Sequence, residues 1–289
     1  MRGLTLVLAA VLLTGACGGK AAAPPATAAG SPPPSAAMLA EPKAGDCFDK
    51  PMRTTLSPPA KVDCAQEHQS EIAAVGTLTG VSSATPPQPN DPSLAAADAD
   101  CRTKTAAFLG TPLGRHGATL EIGLPADQDW QTGSRWYACE AVVVDAAPGR
   151  AAFATTKGTL AGGRTPLPGH CFNLAKAGTT AGMTETPCTG KHAAEYMGAV
   201  RAGFAAPVPA DDETWKPYAA ACRDEVADQM GVTAKAVDDK WGYDGYRSQE
   251  LHGYGVTVTQ CYFVLWQGRT MTGSVAGTKG NGVPLSNAR

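Results

Sequence analysis

The chain has 289 residues, of which 17% are charged and 6% aromatic, and its formal net charge at pH 7 is -2. That balance, with no lysine-rich or arginine-rich cluster, excludes non-specific nucleic-acid binding, which needs a basic face. No apolar run reaches the length of a membrane-spanning helix.

The N-terminus reads as an export signal over residues 1–16. Arg2 supplies a positive start, Leu4 to Leu13 an apolar stretch too short to cross a bilayer, and Thr14-Gly15-Ala16 small residues ahead of Cys17. Small residues before a cysteine resemble a bacterial lipobox, in which cleavage leaves Cys17 as the lipid-modified (palmitate-type) N-terminus. Thr14 stands where a leucine is usual, and an ordinary signal peptide that happens to contain a cysteine is the alternative. Setting Cys17 aside leaves an even number of cysteines, which favours lipidation. Residues 17–41 are rich in Ala, Pro, Gly and Ser and cannot offset the entropy of ordering, so they are expected to form a disordered tether. The predicted location is therefore extracytoplasmic, on the outer face of the cell membrane.

From residue 42 one pattern runs twice. The first copy has GDCFD at Cys47, then Cys64, Cys101 and Cys139; the second has GHCFN at Cys171, then Cys188, Cys222 and Cys261. The first step is 17 residues in both, the second 37 against 34, and the third 38 against 39. Each copy also carries C-x-x-x-H-x-x-E, as Cys64-His68-Glu71 and Cys188-His192-Glu195. Two tandem units are expected, 42–163 and 164–280, followed by a flexible tail at 281–289.

Within each copy a short strand surrounds the first cysteine, and a second strand leads from the C-x-x-x-H turn into an apolar segment. The next element is a helix. In the first copy it begins at Asp91-Pro92, turns Leu94, Cys101, Phe108 and Leu109 inward, and ends at Gly110. In the second, Trp215, Tyr218, Cys222, Val226 and Met230 recur at helical spacing between Asp211 or Asp212 and Gly231, with Pro217 near the first turn. The fourth cysteine lies in a β-prone strand, and Lys157–Gly162 and Thr272–Gly277 read as matching last strands. This order predicts an α+β fold, each unit a small antiparallel sheet packed with one main helix and stapled by disulfides. The copies diverge before the last cysteine. Trp130 and Arg135 in W-x-x-G-x-R mark the first copy, whereas His252 falls opposite Trp130 in the second. The second also has an aromatic loop, Trp241 to Tyr246, without a counterpart.

Cysteine and histidine at this spacing suit zinc, but paired cysteines in an exported chain read as disulfides, and no C-x-x-C redox pair occurs. Four cysteines per copy allow three connectivities. The constant short step and a helix-to-strand clip favour Cys47–Cys64, Cys101–Cys139, Cys171–Cys188 and Cys222–Cys261. His68 with Glu71, and His192 with Glu195, offer acid–base groups without a nucleophile, so they are read as fixing a structural turn. No G-x-S-x-G elbow, S-x-x-K pair or phosphate-binding glycine loop is present. No cofactor and no metal are expected. Trp130, Arg135, Trp241, Tyr243 and Tyr246 are the candidate binding residues.

GDCF, C-x-x-x-H-x-x-E, the helical cysteine and W-x-x-G-x-R before the last cysteine together resemble the septum-formation domain family of actinobacterial envelope proteins. The second copy shares all but the last motif, and the likeness covers about residues 42–279. The resemblance implies a link to cell division and supplies no reaction. The function expected is a non-catalytic, membrane-anchored lipoprotein that binds an envelope protein or cell-wall component. The alternative is an extracytoplasmic hydrolase or thiol-redox enzyme using the His–Glu or cysteine groups.

Overall fold

A computed structural model describes residues 41–52, 58–88, 91–115, 117–147, 153–164, 169–175, 182–201, 211–247 and 258–285. The expected signal, Cys17, residues 18–40 of the tether and His252 lie outside the described residues. The strands are β1 (Cys47–Phe48), β2 (Lys61–Val62), β3 (Glu67–His68), β4 (Ser70–Thr77), β5 (Ala118–Gly123), β6 (Trp136–Val143), β7 (Thr156–Lys157), β8 (Cys171–Asn173), β9 (Thr184–Thr186), β10 (Ala194–Arg201), β11 (Gly242–Arg247) and β12 (Val258–Val264). The helices are α1 (Ala95–Leu109), α2 (Asp127–Gln131), α3 (Asp212–Met230) and α4 (Ala234–Lys240).

Two antiparallel five-stranded sheets carry the fold, ordered β2-β1-β4-β6-β5 and β11-β12-β10-β8-β9, with a small β3-β7 ribbon beside the first. This is the α+β class: α1 packs on one face of the first sheet and α3 on one face of the second. Both helices begin and end on local chemistry. The Asp91 side chain accepts from Ser93 N, and one 3-10 turn, Pro92–Leu94, leads into α1, which Gly110 ends in left-handed backbone. Asp211 and Thr214 form a capping box at the start of α3, and Gly231 ends it. Pro217 is the sixth residue of α3, past the first turn, so one backbone hydrogen bond is forgone there.

The sheets repeat each other in detail. The β4–β6 register slips between Ile72 and Ala74, and the β10–β12 register between Tyr196 and Gly198. Each bulge sets the strand cysteine, Cys139 or Cys261, opposite the residue just past the slip. Under the first sheet, Leu94, Ala97 and Cys101 pack with Leu120, Ile122, Trp130, Tyr137 and Cys139. Under the second, Met197, Val226, Met230, Val237, Trp241, Phe263 and Leu265 form the corresponding core.

Three expectations change. The aromatic segment before Arg247 is no loop: β11 pairs with β12 and sets Gly245 opposite Cys261, as β5 sets Ile122 opposite Cys139. It is the counterpart of β5, obscured by glycines that its neighbours require. A Cβ on Gly242 would lie 1.8 Å from Trp266 Nε1. The closing segments are mostly turns; only Thr156–Lys157 pairs as β7, and Met271 makes a single bridge to His192. Past residue 280 the chain does not simply trail away, because Val283 is buried in the second core beside Trp241 and Val275.

The two halves meet directly. Ala199 N donates to Gly114 O (3.1 Å), and Arg115 forms an ion pair with Asp228 (3.1 Å). The backbones approach so closely that a Cβ on Gly198, at φ +144°, would lie 2.2 Å from Gly114 O. Val142, Val144 and Phe153 of the first half cluster with Ala199 and Val258 of the second. The segment after β6 then lies on the outer face of the second sheet, where Tyr262 Oη donates to Ala146 O (2.9 Å).

Candidate functional site

The most repeated chemistry surrounds the first disulfide of each half. The bridges are Cys47–Cys64, Cys101–Cys139, Cys171–Cys188 and Cys222–Cys261. Cys47 and Cys171, on β1 and β8, are fully buried, whereas their partners Cys64 and Cys188 are half-buried.

Beside each bridge sits one histidine, His68 or His192, each only 1% exposed. His68 Nδ1–H donates to Gln66 O (2.9 Å), and His192 Nδ1–H to Gly190 O (3.0 Å), closing the turn after the second cysteine. A carbonyl can only accept, so Nδ1 carries the proton, and in the neutral ring the free lone pair is on Nε2. Neither Nε2 has a hydrogen-bond partner among the described residues.

The glutamates do something the turn reading did not anticipate. Glu71 accepts from Thr159 Oγ1 and from Leu160 N (2.7 Å). Glu195 accepts from Ser274 Oγ and from Val275 N (2.7 Å). Each carboxylate thus clamps the closing segment of its own half, about 80–90 positions downstream, rather than bonding to the nearby histidine. Gly158 N and Gly273 N complete the clamp by donating to Cys64 O (2.8 Å) and Cys188 O (2.7 Å). Histidine fixes the turn, and glutamate fixes the segment that closes over it. Burial pushes the Glu195 carboxyl above its ordinary value of 4.5, while its bonds from Ser274 and Val275 and the nearby His192 oppose the rise.

In the second half the Cys171 sulfur, an imidazole nitrogen of His192 and a carboxylate oxygen of Glu195 lie within 4.8 Å of one another. The corresponding group in the first half is Cys47, Cys64 and Glu71.

Of the candidate binding residues, Trp130 and Trp241 are buried, and Arg135, Tyr243 and Tyr246 are half-buried. Trp130 is 1% exposed, and its indole N–H donates to Ser83 O (2.8 Å). Arg135 lies 4.0 Å over that ring and donates to Trp130 O (2.7 Å) and Ser134 O (2.8 Å). W-x-x-G-x-R is therefore a folding device that ties α2 to β6. Trp241, the residue that ends α4, is buried in the second core. Tyr243 and Tyr246 on β11 are half-buried, Tyr243 against that core and Tyr246 against the cluster around Tyr262.

A cleft of about 480 Å³ lies between the halves, and sequence reasoning missed it because its walls come from both. Pro112, Leu113, Thr119 and Arg102 line one side; Ala199, Val200, Ala221, Asp224, Glu225 and Asp228 line the other. Burial raises the Glu225 carboxyl and Asp228 adds to the rise, against a bond from Gln229 and the charge of Arg115. No helix of the described residues is long and apolar enough to cross a membrane.

Fold and bridges together define a disulfide-stapled α+β protein of the extracytoplasmic kind. A family model described as Septum formation matches residues 44–256, and the chain belongs to that septum-formation family. Comparison with curated proteins and with solved structures finds no match.

Proposed function

We propose that this chain is a non-catalytic lipoprotein of the actinobacterial cell envelope, acting in septum formation. Cys17 anchors it to the outer face of the membrane, and residues 17–41 tether two tandem septum-formation units, 42–163 and 164–280. These bind an envelope protein or cell-wall component through the cleft between them. The observation that carries this reading is how the reactive groups are engaged. The eight cysteines of the units are bridged, and both buried glutamates clamp their own closing segments. The family match supplies the link to division. The cleft joins the apolar side chains of Leu113, Ala199 and Val200 to the carboxylates of Asp224, Glu225 and Asp228, at the kind of junction where ligands settle.

A photo-crosslinking residue at Val200, introduced into the full chain in growing cells, is expected to capture an envelope partner. Ala221→Trp, which fills the cleft, should abolish both the crosslink and placement at the division site without lowering the melting temperature. Septal placement unchanged in that variant would refute binding through the cleft. Turnover of a wall or thiol substrate that is lost on His68→Ala or His192→Ala would refute the non-catalytic reading.

A further inference from the structure

The cluster around Cys171–Cys188 holds a feature that the turn and the clamp leave unused. The His192 ring is almost wholly buried, its Nδ1–H is committed to Gly190 O, and its Nε2 has no partner among the described residues. An imidazole held by Nδ1–H on a backbone carbonyl, with Nε2 bare, is in the tautomer and orientation that a metal ligand needs. Cys171 and Glu195 already lie within 4.8 Å of His192 and of each other. Cys188 is bonded to Cys171.

We propose that this bridge covers a latent metal site. Once it is reduced, Cys171, Cys188, His192 and Glu195 hold one thiophilic divalent cation of the zinc class. The donor set is two sulfurs, one nitrogen and one oxygen, which suits tetrahedral Zn²⁺. The chemistry balances with an external dithiol as reductant. Its two thiols transfer two electrons and two protons, the Cys171–Cys188 bond breaks to two thiols, and the dithiol closes to its own disulfide. Metal binding then releases those two protons, leaving both cysteines as thiolates.

The fold keeps the ligands together when the bridge opens. Cys171 on β8 stays paired with Thr186 on β9, two residues before Cys188, and Gly273 N holds Cys188 O. Half-burial of Cys188 gives the reductant a way in, whereas Cys171 is fully buried. The first half is less well prepared, since the group assembled there is Cys47, Cys64 and Glu71, without His68.

The test is a Co²⁺ titration of the purified full-length chain, either oxidised or treated anaerobically with limiting phosphine, followed by absorption and circular dichroism. The half-buried Cys188 and Cys64 are attacked first, and the wholly buried Cys101–Cys139 and Cys222–Cys261 bridges stay closed to hold the fold. The reduced chain should keep its fold and bind one Co²⁺ with thiolate charge-transfer and tetrahedral bands that Zn²⁺ displaces; the oxidised chain should give neither. His192→Ala should weaken binding by at least about tenfold, since loss of an outer-shell partner alone costs that much. Cys64→Ala should leave it unchanged. If His192→Ala does not fold, Glu195→Gln reads the same loss with the side-chain shape kept. No thiolate bands on reduction, equal affinity in the His192 or Glu195 variant, or bands that vanish with Cys64→Ala would each overturn the proposal.

Discussion

Replacing Glu195 by alanine removes the acceptor for two donors at once, the buried Val275 N–H and the Ser274 hydroxyl. Hydrogen bonds to a charged group contribute about 1.5–3 kcal/mol each, and a buried donor left without a partner costs about 1–3 kcal/mol. Burial of the carboxylate works against this, as the raised pKa shows. The expected net loss is therefore nearer ~3 kcal/mol than the sum of the bonds. Glu195→Gln keeps one acceptor oxygen in place and should cost only about 1 kcal/mol. Urea unfolding with the disulfides intact, followed by tryptophan fluorescence, measures both. The pH dependence provides a second handle. The folded protein binds the Glu195 proton more tightly than the unfolded chain does. Between 4.5 and the raised folded value, stability should therefore fall as pH rises, and Glu195→Gln should lack that segment of the curve. The clamp reasoning fails if Glu195→Ala lies within about 0.5 kcal/mol of the wild type, the range of an ordinary surface substitution. It also fails if the wild type gains on the glutamine variant as pH climbs through that window.

Other variants test the remaining architecture. Gly198→Ala places a Cβ 2.2 Å from Gly114 O and should cost about 2–4 kcal/mol, read as a melting temperature lowered by several degrees. Trp130→Ala should cost about 3–5 kcal/mol as a buried ring is lost, whereas Trp130→Phe should leave crosslinking from the cleft intact; loss of that crosslink would restore Trp130 as a contact residue. Removing Cys222–Cys261, which spans 39 residues, should destabilise by about 4 kcal/mol, against about 3 kcal/mol for the 17-residue Cys171–Cys188 loop, as thermal unfolding of the double alanine variants will show.

The parts that the sequence discloses are those settled within a few residues. Asp91 and Gly110, and Asp211 and Gly231, mark both main helices because capping is local chemistry, and the cysteine spacing announces the repeated frame. β11 escapes notice because Gly-Tyr-Asp-Gly-Tyr has turn composition. What makes it a strand is a β-prone neighbour, and its glycines are there to clear Trp266 and Trp215. The glutamate clamps are invisible for another reason: Leu160 and Val275 lie 89 and 80 positions from Glu71 and Glu195, and nothing near either acid announces the partner. Trp130 and Trp241 mislead in the opposite sense. Their Gly- and Asp-rich surroundings describe the backbone turn, while burial of the ring is decided by residues far along the chain, Ser83 for Trp130 and Val283 for Trp241.

Chains emerge N-terminus first, and the junction between the halves gives that direction a structural meaning. The outer face of the second sheet presents Phe172, Tyr196, Tyr262 and Val264, and the lid over them includes Ala146 from the first half. An early-folding first half is thus a template waiting for its successor, whereas a second half made alone would offer an aromatic face to whatever it met. A first half made alone would in turn bare Val142, Val144 and Phe153, which Ala199 and Val258 cover in the whole chain.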